Sequence, residues 1–152
     1  MIKIVFVGKT KEAWLKAQIS EYVKRLGRFA RVEVVEVKDE RVVGKDVGKI
    51  KDAEGERILG LVSDDYLIAL DAAGKAFDSK RFAVQLKKAS DQKSKVTFVI
   101  GGALGLSDAV LKRCDLRLSL SEMTFTNQMV RLLLVEQVYR AFTILHGMEY
   151  HK

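Results

Sequence analysis

Short, β-branched apolar runs alternate with longer stretches of helical period along the whole chain, and that alternation leaves few folds open. Ile2 to Gly8 (IKIVFVG), Val32 to Val37 (VEVVEV), Tyr66 to Leu70 (YLIAL), Val96 to Ile100 (VTFVI) and Leu116 to Leu120 (LRLSL) read as strands. Between them the spacing predicts helices over Lys11 to Arg28, about Asp46 to Leu61, Ser79 to Ala89, Ser107 to Arg113, and Gln128 to His146. Strand then helix, repeated to the end, predicts the α/β class, with a mostly parallel sheet flanked by helices on both faces. The 152 residues suffice for one such domain, spanning 1–152, and not for two.

The segments differ in what they must bury. Glu33 and Glu36 interrupt Val32 to Val37 and suggest a sheet edge, whereas the unbroken Val96 to Ile100 is the best candidate for the centre. Thr10, Asp78 and Ser107 precede helical segments and are predicted N-caps, each offering a side-chain oxygen to unpaired first-turn amides. Glu40 to Gly60 has balanced charge, several glycines and no strong apolar stripe, so it is the expected mobile region. Trp14 is expected in the core.

The final helical segment is apolar around most of its circumference. At about 100° per residue, Val135, Val138, Phe142 and Leu145 form one face, and Met129, Val130, Leu133, Leu134, Ala141 and Ile144 occupy much of the rest. Such a helix must be covered on more than one side. In a chain this short a second copy is the economical cover, so a homodimer through this helix is expected, with Glu136 and Arg140 spaced to pair there.

Charge narrows the partners. Twenty-seven Lys and Arg against twenty Asp and Glu leave a net +7, which favours a polyanionic partner, nucleic acid first, although solubility alone would account for as much. The excess is concentrated in residues 1 to 37, in a set that includes Lys24, Arg25, Arg28 and Arg31. The single cysteine, Cys114, cannot form an internal disulfide and is given no role; with His146 and His151 it makes no zinc-ligand spacing, so no metal is expected. No run of about 18 apolar residues could span a membrane, and the start MIKIVFVGKTKEAW lacks a signal peptide's long apolar stretch, so a cytoplasmic protein is expected.

Ligands of open α/β sheets bind beyond the carboxyl ends of the strands. Three stretches stand there: Leu70 to Gly74, Gly101 to Gly105, and Ser119 to Thr124. Glycines admit a ligand close to the backbone, and Gly101-Gly102-x-x-Gly105 reads equally as a tight turn into the segment starting near Ser107. It departs from the GxGxxG dinucleotide pattern and has no acidic ribose partner at the expected distance. The absence of GxxxxGK[ST] argues against an NTPase, and neither histidine has a serine-elbow partner.

Four segments occur in order: Ile100-Gly-Gly-x-x-Gly-Leu106, Leu118-Ser-x-Ser-x-Met-Thr-Phe125, Glu136-Gln-x-Tyr-Arg-Ala141 and Tyr150-His151. With the MIKIVFVGK start and the Leu70-Asp71 and Gly74 loop, they give the chain a resemblance, end to end, to the ribosomal RNA large subunit methyltransferase H family of small SPOUT-class enzymes. The resemblance implies a single-domain SPOUT fold with a C-terminal trefoil knot, a homodimer, and S-adenosylmethionine bound at the knotted loops. It implies methylation of N3 of a pseudouridine in helix 69 of 23S, large-subunit, ribosomal RNA in the assembled ribosome.

By position, Leu70, Gly101, Leu120, Ser121, Glu122, Met123, Thr124 and Phe125 match the family's S-adenosylmethionine contacts, with Leu70, Leu120 and Met123 as apolar walls. Methyl transfer from a sulfonium is an in-line displacement, which needs alignment and the loss of one proton. Arg140, Tyr150, His151 and Lys152 match the family's helix and terminal motifs and are expected at the cofactor mouth, Tyr150 against a flipped base and His151 as proton acceptor. Many members carry Pro-His after Met-Thr-Phe; this chain has Thr126-Asn127, and Asn127 cannot serve as a base. Two other readings remain: a catalytically weak RNA- or ribosome-binding dimer of the same fold, and a small dinucleotide-binding oxidoreductase.

Overall fold

Alternate side chains of the inner strands enter two separate cores, as period-two geometry requires. Ile2, Ile4 and Phe6 of β1 (Ile2–Val7), Ile68 of β3 (Tyr66–Ala76), and Val96, Phe98 and Ile100 of β4 (Val96–Ile100) face one core. Val5 and Val7, Leu67 and Ala69, and Val99 face the other. The first core is covered by α1 (Ala13–Leu26), α3 (Ser79–Gln92) and α5 (Asn127–Leu145), the second by α2 (Val47–Leu59) and α4 (Asp108–Arg113). The computed structural model, which describes residues 1–42, 44 and 46–152, is thus one three-layer α/β domain.

The strand order is β2-β1-β4-β3-β5, with β2 (Val32–Val37) and β5 (Leu116–Ser119) at the edges, and every pairing is parallel. The centre and the edge fall where the sequence puts them: β4 lies between β1 and β3, and Glu33 and Glu36 are exposed on β2. Parallel pairing also fixes polarity, so all strands deliver their carboxyl ends to one side of the sheet.

Several expectations need correction. Thr10 does not cap α1, whose N-cap is Glu12 without a side-chain bond; the Thr10 hydroxyl instead accepts a hydrogen bond from Arg131 Nη1 at 3.0 Å. Asp78 and Ser107 do cap, accepting from the amides of Arg81 and Val110. Within the stretch expected to be mobile, Val43 and Lys45 lie outside the described residues, and most of the remainder is α2, capped by Asp46. Its apolar stripe looks weak because Gly55 makes the closest approach: a Cβ there would stand 2.3 Å from Ser107 Oγ. Trp14 is not in the core but 55% exposed.

β3 runs to Ala76, past its expected end at Leu70. Its pairing with β5 slips between Leu70 and Lys75, and Gly74 fits the bulge because a Cβ would collide with the Arg117 carbonyl oxygen at 2.6 Å. α5 lies against α1 and α3; Leu134, Val135, Val138 and Ala141 are buried, while Met129 and Leu145 remain exposed.

Candidate active site

The carboxyl ends of β1, β4 and β5 and the bulged middle of β3 open onto one cleft of about 760 Å³. Its floor and walls are supplied by Val7 and Gly8, Leu70 and Asp71, Ile100 to Gly102, and Leu118, Leu120, Ser121 and Met123 to Gln128. Gly8 has φ +84°, and the adjoining Asp39 carboxylate would meet any Cβ at 3.3 Å, so only glycine turns the chain out of β1 there. Gly105, at φ +86°, closes the loop after β4 by donating to the Gly102 carbonyl at 3.1 Å. The space beside Gly101 belongs to that same turn, because a Cβ would lie 2.8 Å from the Gly105 carbonyl carbon. Gly101 therefore serves the loop's own closure, as the turn reading expects.

Of the residues expected to hold a cofactor, Leu70, Gly101, Leu120, Ser121, Met123, Thr124 and Phe125 line the cleft and Glu122 does not. The loop after β5 is held by Ser119, whose hydroxyl donates to the Ser121 carbonyl, and by the Ser121 hydroxyl, which accepts from the Met123 amide at 3.0 Å. Thr126 and Asn127 line the cleft too. Thr126 is the N-cap of α5, accepting from the Met129 amide at 3.3 Å, which gives this position a structural task unrelated to proton transfer.

The sequence reading missed the loop after β1, although the strand-end rule applies to it equally. Lys9 and Lys11 line the cleft from this loop, opposite in charge to Asp39 and Asp71, which line it as well. Gln128 latches the loop to α5: its Nε2 donates to the Lys9 carbonyl at 3.1 Å and its Oε1 accepts from the Lys11 amide at 3.0 Å. Beneath it Arg131 is fully buried, donating to the carbonyls of Val7 at 2.8 Å and Gly8 at 3.0 Å, with its guanidinium carbon 4.7 Å from the Phe6 ring centroid. Burial pulls its pKa down, against the opposing influence of Glu36 and Asp39. No periodicity argument finds a buried arginine on a helix expected to be apolar.

Glu54 was also missed. It is 4% exposed and accepts from the Glu40 amide at 3.0 Å, close beside Gly102 at the cleft. Burial pushes its carboxyl above the usual range.

Arg140, Tyr150 and His151 come together, but beside the cleft and not in its lining. Glu136 organises them: Arg140 Nε donates to it at 3.0 Å, Arg140 Nη2 pairs with it closely, and the Tyr150 hydroxyl donates to it at 3.1 Å. Arg140 Nη1 donates to His151 Nδ1 at 3.1 Å and the guanidinium lies over the Tyr150 ring. Burial, the Tyr22 hydroxyl and the Glu136 charge push the Tyr150 phenol well above its ordinary range. His151 lines a second cavity of about 600 Å³, which shares Leu118, Leu120, Ser121 and Phe125 with the cleft; Lys152 is exposed beyond it. The predicted pair of Glu136 and Arg140 thus forms within one chain.

Comparison with known proteins gives this geometry a family. The family described as "Predicted SPOUT methyltransferase" matches residues 1–151. The chain belongs to it. Among SPOUT relatives it is 52% identical, over 99% of both chains, to the ribosomal RNA large subunit methyltransferase H of Listeria monocytogenes. A probable methyltransferase from Bordetella pertussis superposes with a TM-score of 0.55 at 13% identity, covering 92% of this chain and 95% of that one. The putative methyltransferase Lpg2936 of Legionella pneumophila, solved with its bound cofactor SAM, gives 0.50 at 15% identity, covering 93% and 66%.

The cofactor of a SPOUT methyltransferase is S-adenosylmethionine, and the cleft fits it. Its volume lies within the range of roughly 300–1,000 Å³ usual for such ligands. Leu70, Leu120 and Met123 offer apolar surface to an adenine, and lysines and aspartates together suit a ligand bearing a carboxylate, an ammonium and a sulfonium. Among the described residues no acidic, histidine or cysteine cluster could hold a metal ion.

Proposed function

We propose that this chain is an S-adenosylmethionine-dependent ribosomal RNA methyltransferase that methylates N3 of a pseudouridine in helix 69 of 23S ribosomal RNA, acting on the assembled ribosome as a cytoplasmic homodimer. The observation that carries the reading is the convergence of Leu70, Gly101 and the Leu120 to Phe125 loop on one cleft, in a chain 52% identical end to end with a protein named for that reaction class. The threading of the C-terminal segment as a trefoil knot belongs to the same reading.

Bound in the cleft, the cofactor supplies an electrophilic methyl group on a sulfonium. Leu70, Leu120 and Met123 hold its adenine, and the Gly101 to Gly105 turn and the Ser121 to Phe125 loop fix its orientation. Glu122 stands outside that contact set in the single chain. Arg140, Tyr150 and His151 form the RNA-facing group, reached across the wall that Leu120 and Phe125 share between the two cavities. The second copy covers α5 at the exposed Met129 in this reading. Basic side chains in the last turn of α1 and the connection that follows it, Lys24, Arg28 and Arg31, supply phosphate contacts.

The test is transfer of labelled methyl from S-adenosylmethionine to unmodified ribosomes and to free large-subunit RNA, with the labelled nucleotide mapped by mass spectrometry. Label on the helix 69 pseudouridine, with ribosomes preferred over free RNA, is expected. Label elsewhere overturns the target, and cofactor binding without transfer makes the chain the non-catalytic dimer. Affinity for a nicotinamide dinucleotide in place of S-adenosylmethionine overturns the methyltransferase assignment.

A further inference from the structure

The hydrogen bonds of the terminal cluster have a direction. A guanidinium has donors and no acceptor, so in the 3.1 Å contact Arg140 Nη1 gives and His151 Nδ1 receives. Neutral His151 must then carry its proton on Nε2. Arg140 is itself held in place by Glu136, which takes Nε and Nη2 of the guanidinium. Tyr150 also donates to Glu136, so in its 3.3 Å contact with Tyr22 the Tyr22 hydroxyl is the donor. The two tyrosine hydroxyls and one proton on each Arg140 nitrogen have acceptors within the cluster; His151 Nε2–H has none among the described residues, and His151 lines the second cavity.

We infer that His151 serves the methyl transfer as a hydrogen-bond donor through Nε2–H and not as the proton acceptor, its tautomer being set by Arg140 and, through Arg140, by Glu136 as a positioning residue. The consequence for catalysis rests on the methyltransferase reading; the tautomer rests on the geometry alone. N3 of a pseudouridine lies between two carbonyls, and charge spreads onto their oxygens when N3 loses its proton. A donor there stabilises the imide anion. The proton passes to solvent water, the N3 electron pair forms the bond to the methyl carbon as the carbon–sulfur bond breaks, and S-adenosylhomocysteine leaves as a neutral thioether.

The chain carries its own control. His146 Nδ1 lies 2.8 Å from the Phe142 carbonyl oxygen, which can only accept, so His146 is held as the Nδ1–H tautomer. The two histidines are therefore expected to be opposite tautomers. Nitrogen-15 NMR of histidine-labelled protein, recorded well above the ordinary imidazole titration range, is expected to show a pyrrole-type Nε2 for His151 and a pyrrole-type Nδ1 for His146, with the His151 pattern relaxing toward the solvent average in Arg140→Gln. A protonated Nδ1 on His151, or a pattern indifferent to Arg140→Gln, overturns the inference. This measurement needs no substrate, so it decides the tautomer even if the wild-type chain methylates no ribosomal RNA.

Single-turnover rates on ribosomes decide the role. Gln retains an acceptor for Arg140 and an N–H near the Nε2 position but cannot take a proton, so His151→Gln is expected to keep at least about a tenth of the wild-type rate while His151→Ala loses about 100-fold or more. Loss in His151→Gln as deep as in His151→Ala, at unchanged melting temperature and cofactor affinity, makes His151 the base and overturns the inference.

Discussion

Glu54 shows what a single buried carboxyl does at this site. Its pKa is raised, chiefly by burial and further by Asp39 and Glu40, against the opposing effects of the Glu40 amide and Arg57. A raised folded-state value means that ionisation costs more in the native chain than in the unfolded one. The associated stability is complete below the unfolded value near 4.5 and is lost as pH rises through the folded value. Glutamine keeps an oxygen for the Glu40 amide and removes the titration. In Glu54→Gln, the melting temperature relative to wild type is therefore expected to climb between about pH 4.5 and pH 8. Thermal melts across that range check this, and a difference independent of pH contradicts it. Neither this carboxyl nor Arg131 could be found from the sequence, because a charged residue in a polar or apolar segment gives no sign of its burial until tertiary neighbours are known.

Among the elements, α5 has two tasks that its composition does not separate. Leu134, Val135, Val138 and Ala141 anchor it in the core, and Arg131 and Gln128 use the same helix to hold the loop after β1. Arg131→Met leaves the Val7 and Gly8 carbonyls without their partner. It is expected to cost about 1–3 kcal/mol in stability and to weaken S-adenosylmethionine binding, which denaturation and calorimetry would measure. Unchanged affinity would separate the loop from the cofactor. The strands and most helices were legible because period-two and period-3.6 burial leave direct marks, and Asp78 and Ser107 cap where their side chains promised. The extension of β3 was not legible, since Asp71 to Gly74 looks like loop and only pairing with β5 makes it a bulged strand. The same holds for Gly55, where a missing side chain is the contact. The bulge within β3 and the loops after β4 and β5 share one cleft, as the strand-end rule suggests, whereas nothing in the residue types of Lys9 and Lys11 marks them as lining it.

At the scale of the whole molecule, the proposed second copy would cover the apolar side of α5 left open at Met129. Sedimentation is expected to show two 17.1 kDa chains in wild type and one in Met129→Glu. The variant is expected to bind S-adenosylmethionine while losing methyl transfer. A fully active monomer contradicts the dimer requirement. One more consequence lies in the bond from Arg131 to the carbonyl of Val7, which spans 124 positions of sequence. Translation proceeds from β1 toward α5, so the nascent chain has the first wall of its cleft long before it has the helix that secures it. A partly made chain has no place to keep the cofactor. Cofactor loading is therefore expected only after α5 has been made.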